Sequence, residues 1–258
     1  MRLGLAGGFQ KIAENRKLGF DYIEVGVGNI TKLSESEFAE LAAQNDEATV
    51  KIEAASSMLP ASLPVAGPNV DLGAVEAYLD LAFSRLSRLG VEPVVFGSGG
   101  ARKIPEGFDR AEAQHQLITA GRMMARKAGE YGLVIALEPL FAKATNTINS
   151  QMAGIALVED VDRPQFQLLA DLFHMAYANE SREAIRACGS MLVHTHIPNA
   201  AGPFLDQFPG IEWEDFFAGL ADIGYKGRLS LEDNGGDGDA MNPQGLARMR
   251  ELAAKYGL

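Results

Sequence analysis

The chain has 258 residues, 47% hydrophobic and 22% charged, which excludes a disordered polymer and suits a single α/β domain spanning residues 1–258. Its 34 Asp and Glu against 23 Lys and Arg leave a net charge of −11, which repels a phosphate backbone and argues against nucleic acid as a partner. The one cysteine, Cys188, rules out an intrachain disulfide, and no run approaches the roughly 18 apolar residues of a membrane span, so a cytoplasmic protein without membrane attachment is expected.

Met1–Phe9 has no long apolar core and runs straight into charged residues, unlike a secretory leader. From there short apolar runs alternate with amphipathic segments. The strand-like runs are Leu3–Ala6, Tyr22–Val27, Val50–Ala55, Pro93–Phe96, Val134–Leu137, Gln167–Ala170, Leu192–Ile197 and Arg228–Leu231. Helical patterns lie between and after them at Lys11–Leu18, Glu35–Gln44, Val75–Arg88, Ala111–Tyr131, Ser150–Val158, Ser181–Ala187, Trp213–Ile223 and Pro243–Tyr256. Ser34 and Asp109 stand where helix N-caps belong, and Gly90, Gly132, Gly189 and Gly224 stand where helices close. Cys188, in Glu-Ala-Ile-Arg-Ala-Cys-Gly, reads as a small packed thiol.

Eight strand–helix units in 258 residues average about 32 residues each, the spacing of βα repeats. This predicts a closed (β/α)8 TIM barrel rather than an open doubly wound sheet. The segment Leu5-Ala6-Gly7-Gly8-Phe9 lacks the glycine spacing of a dinucleotide site. The longest loops, Ser57–Asn69, Gly97–Gly107 and Pro198–Ile211, all follow strands, which puts them on the barrel face where chemistry occurs.

Four chemically active side chains close four successive late strands. Glu138 follows Val134–Leu137, Asp171 follows Leu168-Leu169-Ala170, His196 lies in Leu192-Val193-His194-Thr195-His196-Ile197, and Glu232 follows Leu229-Ser230-Leu231. Any one of them alone reads more plainly as a helix cap, a loop-start residue or a packed histidine. Together they put three carboxylates at one barrel mouth, where mutual repulsion raises their pKa values unless a cation intervenes. Two Glu, one Asp and one His suit Mn²⁺ best, with Co²⁺, Mg²⁺ or Zn²⁺ as alternatives. His174, three residues beyond Asp171, returns toward the same mouth and is a candidate substrate contact. Glu24, at the end of Tyr22-Ile23-Glu24, is a second candidate substrate contact, and His194 reads as a barrel-interior residue one layer below His196.

The order and spacing of several pieces resemble the xylose-isomerase-like barrel superfamily, within it the sugar isomerases and epimerases related to D-tagatose 3-epimerase and hydroxypyruvate isomerase. The pieces are Phe20–Glu24, Val95–Arg102, Leu137-Glu138-Pro139-Leu140, Thr145–Ser150, Asp171–His174, His194–Ile197 and Gly227–Glu232. The resemblance implies one divalent metal ion held by Glu138, Asp171, His196 and Glu232, with Glu138 and Glu232 as an acid/base pair on opposite faces of the substrate. It implies a keto-sugar or small hydroxy-ketone substrate, proton abstraction α to its carbonyl through an enediolate, and a homo-oligomer in many relatives. A lyase of the inosose or dehydroshikimate dehydratase type on the same scaffold is the alternative reaction. An apurinic-site endonuclease of the same superfamily fits neither the acidic charge nor the four histidines.

Two positions depart from the family pattern. Ala144 stands where an acidic residue is common, and Gly202 stands where an Arg is common; no basic residue follows His196 before Lys226. Lys143 and Arg102 are the cations placed to fill this role, Lys143 being the expected substrate contact.

Overall fold

The computed structural model describes residues 1–7, 9, 12–198, 212–232 and 238–258, with the side chains of 238–241 outside that description. Eight strands form one closed, all-parallel barrel in sequence order: β1 (Arg2–Ala6), β2 (Tyr22–Gly26), β3 (Lys51–Ser56), β4 (Pro93–Phe96), β5 (Val134–Leu137), β6 (Phe166–Asp171), β7 (Leu192–Pro198) and β8 (Arg228–Glu232). Closure comes from β1 pairing with β8, Arg2 opposite Arg228 through Ala6 opposite Glu232. The predicted (β/α)8 barrel is therefore present, with each predicted strand placed to within one or two residues.

The helices are α1 (Ile12–Asn15), α2 (Val27–Thr31), α3 (Glu35–Glu47), α4 (Leu72–Leu89), α5 (Arg110–Glu130), α6 (Gln151–Val161), α7 (Leu172–Tyr177), α8 (Arg182–Cys188), α9 (Trp213–Asp222) and α10 (Gly238–Tyr256). Ser34 caps α3 in a full capping box with Glu37, and the Asp109 carboxylate accepts the Glu112 N–H to cap α5. Gly90 closes α4 in the left-handed region, at φ 80°.

Three elements differ from the sequence pattern. Val27 begins α2 instead of ending β2, since the backbone turns helical at the strand's rim. The Asp171 carboxylate caps a short helix, α7, that the sequence pattern does not mark. Helix α10 begins five residues ahead of Pro243, which lies within it. Proline's fixed φ suits a helix, and so close to the start its missing N–H removes a single intrahelical bond.

Period-two alternation sorts the strand residues. Outward-facing Leu3, Leu5, Ile23, Ile52, Val94, Phe96, Ile135, Leu137, Leu168, Ile197, Leu229 and Leu231 join the helix faces in one continuous core. Inside the barrel the filling is divided. Val95, Ala136 and Leu169 form a small separate apolar cluster on β4–β6. On β2, β7 and β8 the interior is polar, with Tyr22, Glu24, His194, His196 and Ser230 all at 0–1% exposure. Gly4 makes room for this arrangement, because a Cβ there would lie 2.2 Å from the Tyr22 ring. Among the described residues no helix is long and apolar enough to cross a membrane.

Cys188 ends α8 fully buried, its thiol directed at the Gln151 side-chain oxygen at 3.4 Å and the Ala184 carbonyl at 3.2 Å. Burial, with the Glu180 carboxylate adding to it, pushes the thiol up to about 12. Native protein at pH 8 should therefore resist iodoacetamide, and mass spectrometry should find alkylation rising only with denaturant, in step with global unfolding.

Candidate metal centre and active site

The barrel alternation that buries Ala136, Leu169, His194 and Ser230 delivers Glu138, Asp171, His196 and Glu232 two residues further on, one layer nearer the C-terminal rim. Their ligand atoms lie within 4.8 Å of one another. His196 Nδ1 is the hub, at 3.1 Å from Glu232 Oε1, 3.5 Å from Glu138 Oε1 and 3.9 Å from Asp171 Oδ2. Glu138, Asp171 and His196 are buried, and Glu232 is partly open, with 27% of its side chain exposed. That asymmetry leaves one side of the cluster accessible from the mouth.

Asp171 divides its two oxygens between structure and site. Oδ1 accepts the N–H groups of Phe173 at 2.6 Å and His174 at 3.2 Å, starting α7. Oδ2 is buried and has no hydrogen-bond partner, and the same is true of His196 Nδ1. Burial, with Glu232 nearby, raises the Asp171 carboxyl above its usual range. For His196 burial alone would lower the pKa, but the Glu24 and Glu232 carboxylates outweigh it and hold the ring well above its usual value. Two orphaned buried donor atoms, converging carboxylates and an oxygen-rich set with one imidazole are what a divalent cation would satisfy.

Glu24, His194 and His196 form a second close group. Its geometry is that of hydrogen bonds: His194 Nε2 is 2.8 Å from Glu24 Oε2, His196 Nε2 is 3.0 Å from Glu24 Oε1, and Ser230 Oγ donates to Oε2 at 2.6 Å. Both rings turn Nε2 to Glu24 in this polar network under the rim, while His194 Nδ1 is buried without a hydrogen-bond partner.

Glu24, expected as a substrate contact, is at 0% exposure, and its carboxylate is taken up by His194, His196 and Ser230 instead.

The loop after β5 is locked into place. Asn149 Nδ2 donates to the Leu140 carbonyl at 2.7 Å and the Thr145 carbonyl at 3.1 Å, and Asn146 bonds both the N–H and the carbonyl of Ile104. Thr147 Oγ1 donates to the Arg102 carbonyl. Arg102 itself is fully buried, and its guanidinium donates to the carbonyls of Glu138 at 2.7 Å and Phe96 at 3.3 Å. It therefore ties the ends of β4 and β5 together and does not reach into the mouth. Burial draws its pKa down to about 10, against the pull of Glu138. Lys143 stands exposed on the same loop, and no described contact joins it to the rim group. Ser98 and Ile148 hold positive φ, 31° and 54°, in these two loops; strain of this kind is tolerated where surrounding contacts impose it.

His174 does reach the group, with Nε2 at 3.8 Å from Glu138 Oε1. Its ring stacks on Phe141, centroids 5.4 Å apart and 14° from parallel, and its Nδ1 accepts the Phe141 N–H at 3.5 Å. Phe141, Phe173 and Tyr177 make a continuous aromatic wall beside it. Sequence reading passed over this wall, although Phe141 and Tyr177 both lie three residues from a site residue it had singled out. The loop carrying Gly202 lies outside the described residues.

The xylose isomerase-like TIM barrel model matches residues 12–253, nearly the whole chain. The chain belongs to that family. Within it, the chain is 28% identical to a D-psicose 3-epimerase of Ruminiclostridium cellulolyticum, covering 84% of this chain and 74% of the relative. It is 25% identical to an L-ribulose 3-epimerase of Methylomonas sp., over 88% and 78% of the two chains. A D-psicose 3-epimerase crystallised in the presence of D-fructose superimposes with a TM-score of 0.84 at 22% identity, covering 98% of this chain and 99% of that one. At that identity the superposition speaks for the shared family fold.

Gly97 exposes how tightly the rim is built. A Cβ there would stand 2.1 Å from Glu138 Oε2, so only glycine leaves the carboxylate its place. In Gly97→Ala the flexible carboxylate should swing aside while the backbone stays. Isothermal titration should show Mn²⁺ affinity down at least about tenfold, with the metal-free melting temperature within a few degrees of the parent.

Proposed function

We propose that the protein is a divalent-metal-dependent isomerase or epimerase of a keto-sugar or small hydroxy-ketone, working in the cytoplasm with Mn²⁺ as the preferred cation. The observation that carries this reading is the convergence of Glu138 and Glu232 on His196 Nδ1, at 3.5 and 3.1 Å, beside the unpartnered Asp171 Oδ2. Family membership and the epimerases and isomerases named among the relatives support it.

Glu138, Asp171, His196 and Glu232 would hold the cation, which would polarise the ketone carbonyl and acidify the neighbouring C–H. Glu138 and Glu232 are the acid/base pair. One carboxylate takes the proton α to the carbonyl, and the other returns a proton to the opposite face of the planar enediolate, which inverts that carbon. Return of the proton to the adjacent carbon gives the aldose–ketose isomer instead. Enclosure of Glu138 and the greater exposure of Glu232 give the two carboxylates different surroundings, as an acid/base pair needs.

His174 orients the substrate. Its Nδ1 accepts the Phe141 N–H, so in the neutral ring the proton sits on Nε2, the nitrogen that faces Glu138. That Nε2–H donates to a substrate oxygen. The aromatic wall of Phe141, Phe173 and Tyr177 excludes water from one side and offers faces for sugar C–H groups.

Chelator-treated protein restored with Mn²⁺ should catalyse solvent deuterium entry at the carbon α to the carbonyl of at least one member of a ketose panel in D₂O, followed by NMR. Absence of metal-dependent exchange with every ketose would overturn the reading. Glu232→Gln should lower exchange by about 10²- to 10⁴-fold with an unchanged melting temperature; full activity in that variant would refute the two-carboxylate mechanism.

A further inference from the structure

The polar half of the barrel interior has a function of its own. Glu24 is an acceptor-only carboxylate at 0% exposure, 170 and 172 residues away in sequence from the two histidines it meets. Oε2 accepts from Ser230 Oγ at 2.6 Å and His194 Nε2 at 2.8 Å, and Oε1 accepts from His196 Nε2 at 3.0 Å. Since Ser230 donates its hydrogen to Glu24, the Tyr22 hydroxyl, 2.7 Å away, donates to Ser230. The chain Tyr22–Ser230–Glu24–His196 is therefore directional, and it ends on the ring that forms the hub of the rim group.

Val95, Ala136 and Leu169 fill the β4–β6 side of the same interior with apolar side chains. A buried carboxylate with two imidazoles is costlier than such packing unless its orientation is put to use. The geometry points to that use.

We propose that Glu24 is a positioning residue for the metal centre. It fixes the proton of His196 on Nε2 and the plane of the ring, so that Nδ1 presents its lone pair to the point where Glu138, Asp171 and Glu232 converge. The proposal rests on the metal reading given above. A hydrogen-bonded carboxylate behind a ligating imidazole sets its tautomer and increases its basicity, and its loss typically weakens metal binding by about 10–100-fold. Ser230 and Tyr22 hold Glu24 in turn, and Gly4 gives Tyr22 its space.

The test titrates Mn²⁺ alone into the metal-free wild-type, Glu24→Gln and Ser230→Ala proteins at 10 °C, with free Mn²⁺ read by its EPR signal. Metal-free samples labelled with ¹⁵N-histidine, at a pH where the ring is neutral, report which ring nitrogen of His196 carries the proton. The wild type should bind one Mn²⁺ and show the His196 proton on Nε2. Glu24→Gln should bind about 10–100-fold more weakly and show a redistributed ring proton. Ser230→Ala, which removes one bond to Glu24 and leaves both histidines untouched, should weaken binding several-fold, and it decides the matter should Glu24→Gln fail to fold. A purely structural Glu24 would lower the metal-free melting temperature but leave the folded protein's Mn²⁺ affinity and ring protonation at wild-type values, which overturns the proposal. Failure of the wild type to take up Mn²⁺ would remove the metal reading and this inference together, whereas wild-type binding with unaffected variants removes only this one.

Discussion

His196 stands between two concentrations of negative charge. Below it, Glu24 takes its Nε2; above it, the carboxylates of Glu138, Asp171 and Glu232 surround its Nδ1. Buried carboxylates so close together resist ionising, and burial with Glu232 nearby has already raised Asp171 above its usual range. One imidazole cannot neutralise three acids while its Nε2 is already given to Glu24. The layout of the rim, with its unsatisfied Asp171 Oδ2, follows from that imbalance.

The surrounding loops hold the imbalance in place. Arg102 clamps the final carbonyls of β4 and β5, Asn146 and Asn149 pin the loop after β5, and Gly97 leaves a Cβ-sized gap for the Glu138 carboxylate. These interactions are wholly or partly buried and mostly between side chain and backbone, so they fix position without adding charge at the mouth. His174 is held in the same manner, by stacking on Phe141 and by the Phe141 N–H.

The β5 side of the mouth is unusual in its polarity. Ala144 takes the place of a carboxylate common in the family resemblance, Lys143 faces solvent, and Phe141, Phe173 and Tyr177 supply an aromatic surface. On the function proposed above, proton transfer would use the ends of β5 to β8, and substrate recognition would use the loop after β5 and the short helix α7.

Strand order, barrel closure and the four rim residues were readable in the sequence because a parallel strand alternates with period two and its last inward residue faces the mouth. Glu138, Asp171 and Glu232 each close a strand-like run, and it is their recurrence in neighbouring units that marks one shared mouth. Tertiary structure decided what local spacing cannot express. Glu24 was a candidate substrate contact, yet barrel closure brings β7 and β8 over it and pairs it with His194, His196 and Ser230. Arg102 looked like a free cation until the β4 and β5 carbonyls claimed its guanidinium. Asp171 looked like either a helix cap or a ligand, and its two oxygens divide those roles. In each case the deciding partner lies on another strand or loop, and such long-range pairings are set by closure of the barrel rather than by the pattern within any one segment.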